Sequence, residues 1–185
     1  NLVADVSRVD NFDIAVNPVK MSQATIDQAE PFAVTRLECG RALDDSNETV
    51  TIYGIREGSS YHTGIDVSGG RIVADAGLLE KCGITLGEPA TFTDRTTGNT
   101  YDITVDGATS FAVSTNVYMS INTFNRMFGK DEGYFNGYFS NEALDLDRRY
   151  LASDYTPADA DKIANQLEDS YGDIMNVVTW LSIPI

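Results

Sequence analysis

Apolar residues in this chain come in short alternating runs cut by turn-forming residues, and that pattern constrains the fold most. Phe12, Ile14 and Val16 alternate with polar neighbours; Val50 and Ile52 sit around Thr51; Tyr101, Ile103 and Val105 enclose Asp102 and Thr104. A period of two marks a strand with one face buried. Helix-period stretches fall irregularly between these runs. Short helices are predicted after Ser22, over Ala74–Lys81, and after Ser120 or Asn122, the last carrying Ile121, Phe124, Asn125 and Phe128. The longest helix is predicted from Thr156, with Pro157 at its first position, Asp159 in its first turn, a stripe of Ile163, Leu167 and Tyr171, and Gly172 as its stop. Strands and helices do not repeat as regular strand–helix–strand units. The expected fold is therefore α+β, with a mixed, mainly antiparallel sheet and a few helices.

Within that frame, Phe32–Leu43 reads as a strand. Its apolar positions Phe32, Val34, Leu37 and Cys39 change parity, which predicts a bulge or register change. Asp44–Asn47 is a turn joining it to the Val50–Ile55 strand as a hairpin, and Thr96–Asn99 joins Ala90–Thr93 to Tyr101–Val105 in the same way. Gly133–Ser140 is expected as a strand with Tyr134 and Tyr138 on one face and Phe135 and Phe139 on the other. Ile174–Leu181 is expected as the last strand. The 185 residues suit one domain, with an inserted β-rich subdomain expected over about residues 57–110 between Gly-rich flanks.

Charge and motif content remove several functions. Thirteen basic against 28 acidic residues give a net charge of −15. A nucleic-acid binder displaces counterions with positive charge, and a basic patch would be needed for anionic lipid head groups; neither fits. No apolar run reaches the roughly 18 residues of a membrane span. Cys39 and Cys82 are too few for a disulfide framework and are expected as two buried thiols, with a bridge between them as the alternative. His62, the one histidine, lies in a Gly/Ser-rich loop and reads as an exposed loop residue. Hydrolase, zinc-protease and dithiol motifs are missing around it. The acid pairs Asp44/Asp45, Asp145/Asp147 and Asp159/Asp161 lack the continuation of a calcium loop and read as solvated faces. No catalytic residue, metal or cofactor is expected. Tyr134 and Tyr138 are the candidate partner surface, because tyrosine offers large contact area at low entropic cost.

One segment is more specific. Arg71–Glu88 reads as strand, short helix, then Gly-apolar-x-apolar-Gly-acid before a hairpin. Leu78, Leu79, Ile84 and Leu86 are expected to bury the junction, Gly83 to end the helix in a left-handed conformation, and Gly87 to permit a tight turn before Glu88. This pattern resembles the extracytoplasmic, MacB-like periplasmic core domain of FtsX-like ABC-transporter permeases, where the last position is usually Asp. The Thr91–Val105 hairpin and the Val117–Ser120 strand before a helix with Phe124 match the same layout, so the resemblance spans about residues 70–128. It implies a domain without catalysis, on the extracytoplasmic face of a bacterial membrane, between two transmembrane helices and with its chain ends close together. It implies as partners a cytoplasmic ABC ATPase subunit, a second permease copy, and an extracellular peptide, lipid or lipoprotein substrate. The competing expectation is a secreted or surface-anchored binding or adhesion module; an acidic hydrolase ranks third.

Overall fold

A computed structural model describes residues 5–9, 29–140 and 151–153 of the chain, with side chains over 29–140. The strand expected at 11–16, the helices after Ser22 and Thr156, the last strand at 174–181, the acid pairs at 145/147 and 159/161 and both chain ends lie outside the described residues.

Among the described residues ten strands and two short α-helices follow one another: β1 (Asp5–Val9), β2 (Ala29–Gly40), β3 (Asn47–Ile55), β4 (Val73–Asp75), α1 (Ala76–Cys82), β5 (Pro89–Thr93), β6 (Thr100–Thr104), β7 (Gly107–Thr109), β8 (Asn116–Ser120), α2 (Ile121–Met127), β9 (Gly137–Ser140) and β10 (Leu151–Ser153). The sheet order is β10-β1-β9-β2-β3-β8-β4-β7, and the β5–β6 hairpin attaches to β2. The β3/β8 and β4/β7 pairs are parallel. All other pairings among the described residues are antiparallel. This is the α+β, mixed but mainly antiparallel sheet that the alternation pattern predicts.

The sheet buries both faces. Ala33, Leu37 and Cys39 of β2, Val50 and Ile52 of β3, Ala74 of β4, and Val117 and Met119 of β8 share one core with Leu78 of α1 and Phe124 of α2. Ile72, Phe92, Ile103 and Val105 join that same core, so the segment 57–110 shares its apolar interior with the central strands. On the opposite parity, Ile55 and Tyr118 pack with Val67, and Phe32 stacks on Phe139 at 4.1 Å between ring centroids.

Two-sided burial corrects the expected bulge in β2. The β2–β3 register runs unbroken from Ala33↔Gly54 to Gly40↔Asn47. Parity changes at Phe32 because its ring serves the second face while Ala33, Leu37 and Cys39 serve the first. The strand changes context there too: residues 29–32 pair with β9 and residues 33–40 with β3.

Local chemistry explains the helices. Ser120 caps α2, its Oγ accepting the Thr123 N–H at 3.2 Å. Gly83 ends α1 at φ 64°, ψ 32°, and its N–H reaches the Leu79 carbonyl. An L side chain is strained there, which is why glycine terminates helices in this way. Leu78 is fully buried and Leu79 packs against the core, as expected. Leu86 is 46% exposed, contrary to expectation. It sits inside the Thr85–Glu88 turn, closed by a Glu88 N–H to Thr85 carbonyl bond at 3.3 Å, with Gly87 at φ 80°. The turn points Leu86 outward, and Glu88 is also exposed. Fully buried Asp75 was not singled out by sequence. Its carboxylate accepts from Thr109 Oγ1 at 2.8 Å and from the Asn116 N–H at 3.1 Å, tying β4 to β7 and β8.

Gly54 lets α2 lie on the sheet. A Cβ there would stand 2.7 Å from Phe124 Cβ and 3.2 Å from Ile121 Cα. Gly54→Ala must push α2 outward and is expected to cost about 1–3 kcal/mol, lowering the thermal midpoint by roughly 3–10 °C. Gly40→Ala, in open space, is the control and should change stability by less than about 0.5 kcal/mol. Thermal and urea unfolding check both.

Candidate functional site

The loop after β3 places the chain's one histidine. Its first turn closes with the Ser59 N–H on the Arg56 carbonyl at 3.1 Å. Ser59 Oγ then accepts the N–H groups of Tyr61 at 3.2 Å and His62 at 3.1 Å. Next to it, Ser60 donates to Glu30 Oε2 through its N–H at 3.2 Å and its hydroxyl at 3.4 Å. Glu30 is itself buried on β2. These bonds fold the loop down onto the second face of the sheet.

His62 therefore does not stand free, which corrects the expected exposed loop residue. It is half-buried, 4.9 Å from the Phe139 ring edge-on and 5.5 Å and 6.1 Å from the Tyr118 and Tyr53 rings. Burial holds its pKa below the ordinary 6.5, with the nearby Glu30 charge opposing in part. Burial likewise pushes the Tyr53 and Tyr118 hydroxyls up, and for Tyr118 the Asp75 charge adds to it. Sequence missed this cluster because its members come from β2, β3, the loop, β8 and β9. The one available signal was that Phe32, Tyr53 and Tyr118 break the parity of their strands' core faces.

Ser59 Oγ lies 3.5 Å from His62 Nδ1, so a nucleophile–base pair must be considered. The surrounding bonds do not suit one. Ser59 is buried and its oxygen already caps two backbone N–H groups. The carboxylate bonds Ser60, not the imidazole, so it does not orient the base. The arrangement fixes a loop on a sheet.

Tyr134 and Tyr138 do not form one strand face. The strand expected at 133–140 begins only at Gly137. Ahead of it, Gly133 at φ 81° and a Tyr134 N–H to Asp131 carbonyl bond make a turn. Asn136 bridges to β2 by its side chain: Oδ1 accepts the Val34 N–H at 2.7 Å and Nδ2 donates to the Val34 carbonyl at 2.9 Å. An amide side chain thus replaces one residue's backbone ladder. Tyr138 is buried, edge-on to Phe135 at 4.9 Å, and burial pushes its hydroxyl up to about 12. Tyr134 is half-buried, with Lys130 Nζ 5.3 Å from its ring, and lines a cavity of about 190 Å³ with Thr35, Asp94 and Tyr101.

A wider groove of about 480 Å³ lies beside α2, where Glu57, Asn122, Arg126, Lys130 and Glu132 mix both charge signs. Among the described residues no group of three or more His, Cys, Asp or Glu could hold a metal ion, and no helix is long and apolar enough to cross a membrane.

No protein-family model and no curated protein matches the chain. Solved structures similar to it include the extracellular domain of the noncanonic ABC-type transporter YknZ from Gram-positive bacteria. That likeness has 17% identity and a TM-score of 0.42, and covers 77% of this chain and 85% of that one. The chain is also similar to the periplasmic region of MacB from Actinobacillus actinomycetemcomitans, at 13% identity and a TM-score of 0.40, covering 91% of this chain and 83% of that one.

The depressed histidine has a measurable consequence. Below its ordinary value of 6.5 the unfolded chain takes up a proton before folded His62 does. Stability is therefore lost as pH falls from 6.5 towards the lower folded value. His62→Phe keeps a ring in the cluster but cannot titrate. Urea midpoints measured from neutral pH to about pH 5 should fall more steeply for wild type than for His62→Phe. Parallel profiles would count against the burial argument.

Proposed function

We propose that this chain is the extracytoplasmic domain of an ABC-transporter permease, and that it does no catalysis of its own. The observation that carries this reading is the build of segment 71–88. Its residues, which resemble the MacB-like periplasmic core pattern, stand as strand β4, helix α1, a left-handed Gly83 and a tight turn at Gly87. The β5–β6 hairpin and the β8–α2 unit with buried Phe124 follow in the order the resemblance calls for. The residues of this motif work as packing and turn residues, which suits a mechanical part.

In this reading a cytoplasmic ATPase subunit moves membrane helices on either side of the domain, and the domain follows as a body. A sheet packed on both faces resists bending, because each strand is held from above and below as well as at its edges. The domain then transmits the movement outward and contacts an extracellular peptide, lipid or lipoprotein. The net charge of −15 suits a surface in contact with solvent.

The test uses the full-length parent protein in its own cell. Thr97→Cys places a thiol at the exposed tip of the β5–β6 hairpin. A membrane-impermeant maleimide should label it as completely in intact cells as after lysis, while the protein stays in the membrane fraction through alkaline extraction. With the ATPase subunit present, ATP with vanadate should change the labelling rate at that tip. Labelling only after lysis overturns the reading. Release of an externally labelled protein into the alkaline supernatant points instead to a secreted or surface-anchored binding module.

A further inference from the structure

Cys39 and Cys82 lie 43 positions apart in sequence, yet the fold brings them together. Cys39 is buried on β2, and Cys82, half-buried, is the last residue of α1. Cys82 Sγ donates to the Cys39 carbonyl oxygen at 3.9 Å, so the Cys82 side chain lies against the residue that carries the other thiol. The surrounding chain is pinned on both elements. The Ala42 N–H donates to the Lys81 carbonyl at 2.9 Å, and Lys81 Nζ meets Glu48 Oε1 at 3.1 Å. Arg41 Nε lies 3.8 Å from Glu48 Oε2. Glu48 is the residue opposite Cys39 in the β2–β3 ladder. The Cys82 sulfur thus rests against the Cys39 backbone between two pinned elements, and a bridge there requires the two Cα atoms to stand within about 7 Å.

We propose that Cys39 and Cys82 are a modification site, at which a disulfide-type oxidant closes one intrachain bridge that locks α1 to the β2–β3 hairpin. The inference rests on the local geometry alone and holds whether or not the chain belongs to a permease.

The chemistry balances as two exchanges. The Cys82 thiolate, on the more accessible side, attacks one sulfur of a small-molecule disulfide and expels the first thiolate. Cys39 then loses its proton to solvent and attacks Cys82 Sγ in the mixed disulfide, expelling the second thiolate. Two electrons pass to the oxidant, which leaves as two thiols, and one S–S bond replaces two S–H bonds. Burial raises both thiols, Cys82 to about 12, with Glu48 pushing Cys82 the same way and Arg41 opposing. Little thiolate is present at neutral pH, so closure is slow there and accelerates as pH rises.

The purified, reduced 185-residue chain is incubated with oxidised glutathione at mildly alkaline pH, then acid-quenched, unfolded and alkylated. The expected product is a monomer lighter by two hydrogens that takes up no alkyl group. Its thermal midpoint should rise by about 5–15 °C, reversibly with dithiothreitol, because the bridge restrains a long loop in the unfolded chain. Cys82→Ser, at the half-buried position, should show no oxidant-dependent shift. Cys39→Ser is avoided as the sole control because it alters the core. A stable glutathione adduct, a disulfide-linked dimer, or two alkylatable thiols after prolonged oxidation overturns the site. A bridge that closes without raising the midpoint overturns the lock.

Discussion

Burial of β3 on both faces is the constraint on which the rest of the structure depends. Val50 and Ile52 point into the core shared with the helices, while Tyr53 and Ile55 point to the other side. A strand buried this way needs partners along both edges and cover on both faces. β2 supplies one edge as a hairpin and β8 supplies the other as a parallel neighbour. The two helices cover one face, and on the other the folded-down loop adds Val67 and His62 to the rings from β2, β8 and β9. Gly54 closes the account on the helix side, since any side chain there would lift α2 off the sheet.

The same requirement explains why the residues best suited to chemistry are used as braces. Glu30, Ser59, Ser60 and His62 could supply an acid, a nucleophile and a base. Their bonds run instead to backbone groups and to one another's neighbours, pinning a Gly/Ser-rich loop over an aromatic floor. Asp75 does similar work between β4, β7 and β8. Asn136 lends its side-chain amide to the edge of β2. In each of these places a polar side chain holds strands or a loop together.

Much of the fold was legible from sequence where the signal is local. The β2–β3 and β5–β6 hairpins follow from alternation interrupted by turn residues, the start of α2 from a cap at Ser120 or Asn122, of which Ser120 serves, and the end of α1 from Gly83. Local signals misled where a distant partner overrode them. Phe32 read as a break in register but serves a second face. Leu86 read as core but rides the outside of a turn. Residues 133–136 read as strand, yet a glycine turn and the Asn136 side chain take that stretch. His62 read as exposed because the loop's composition says nothing of the rings beneath it.

By itself the sequence determined the period of each strand, the caps and turns of the helices, the acidic charge and the α+β class. These arise within a few residues of backbone, where dihedral preferences and neighbouring side chains act directly. Only the tertiary structure decided which strands lie side by side, that β3 and β8 run parallel, that His62 meets three rings, and that two cysteines far apart in the chain share one contact. Those pairings join distant segments of the chain, 102 positions apart at Val34 and Asn136. They are selected by the burial of both sheet faces at once, a property that no single window of sequence contains.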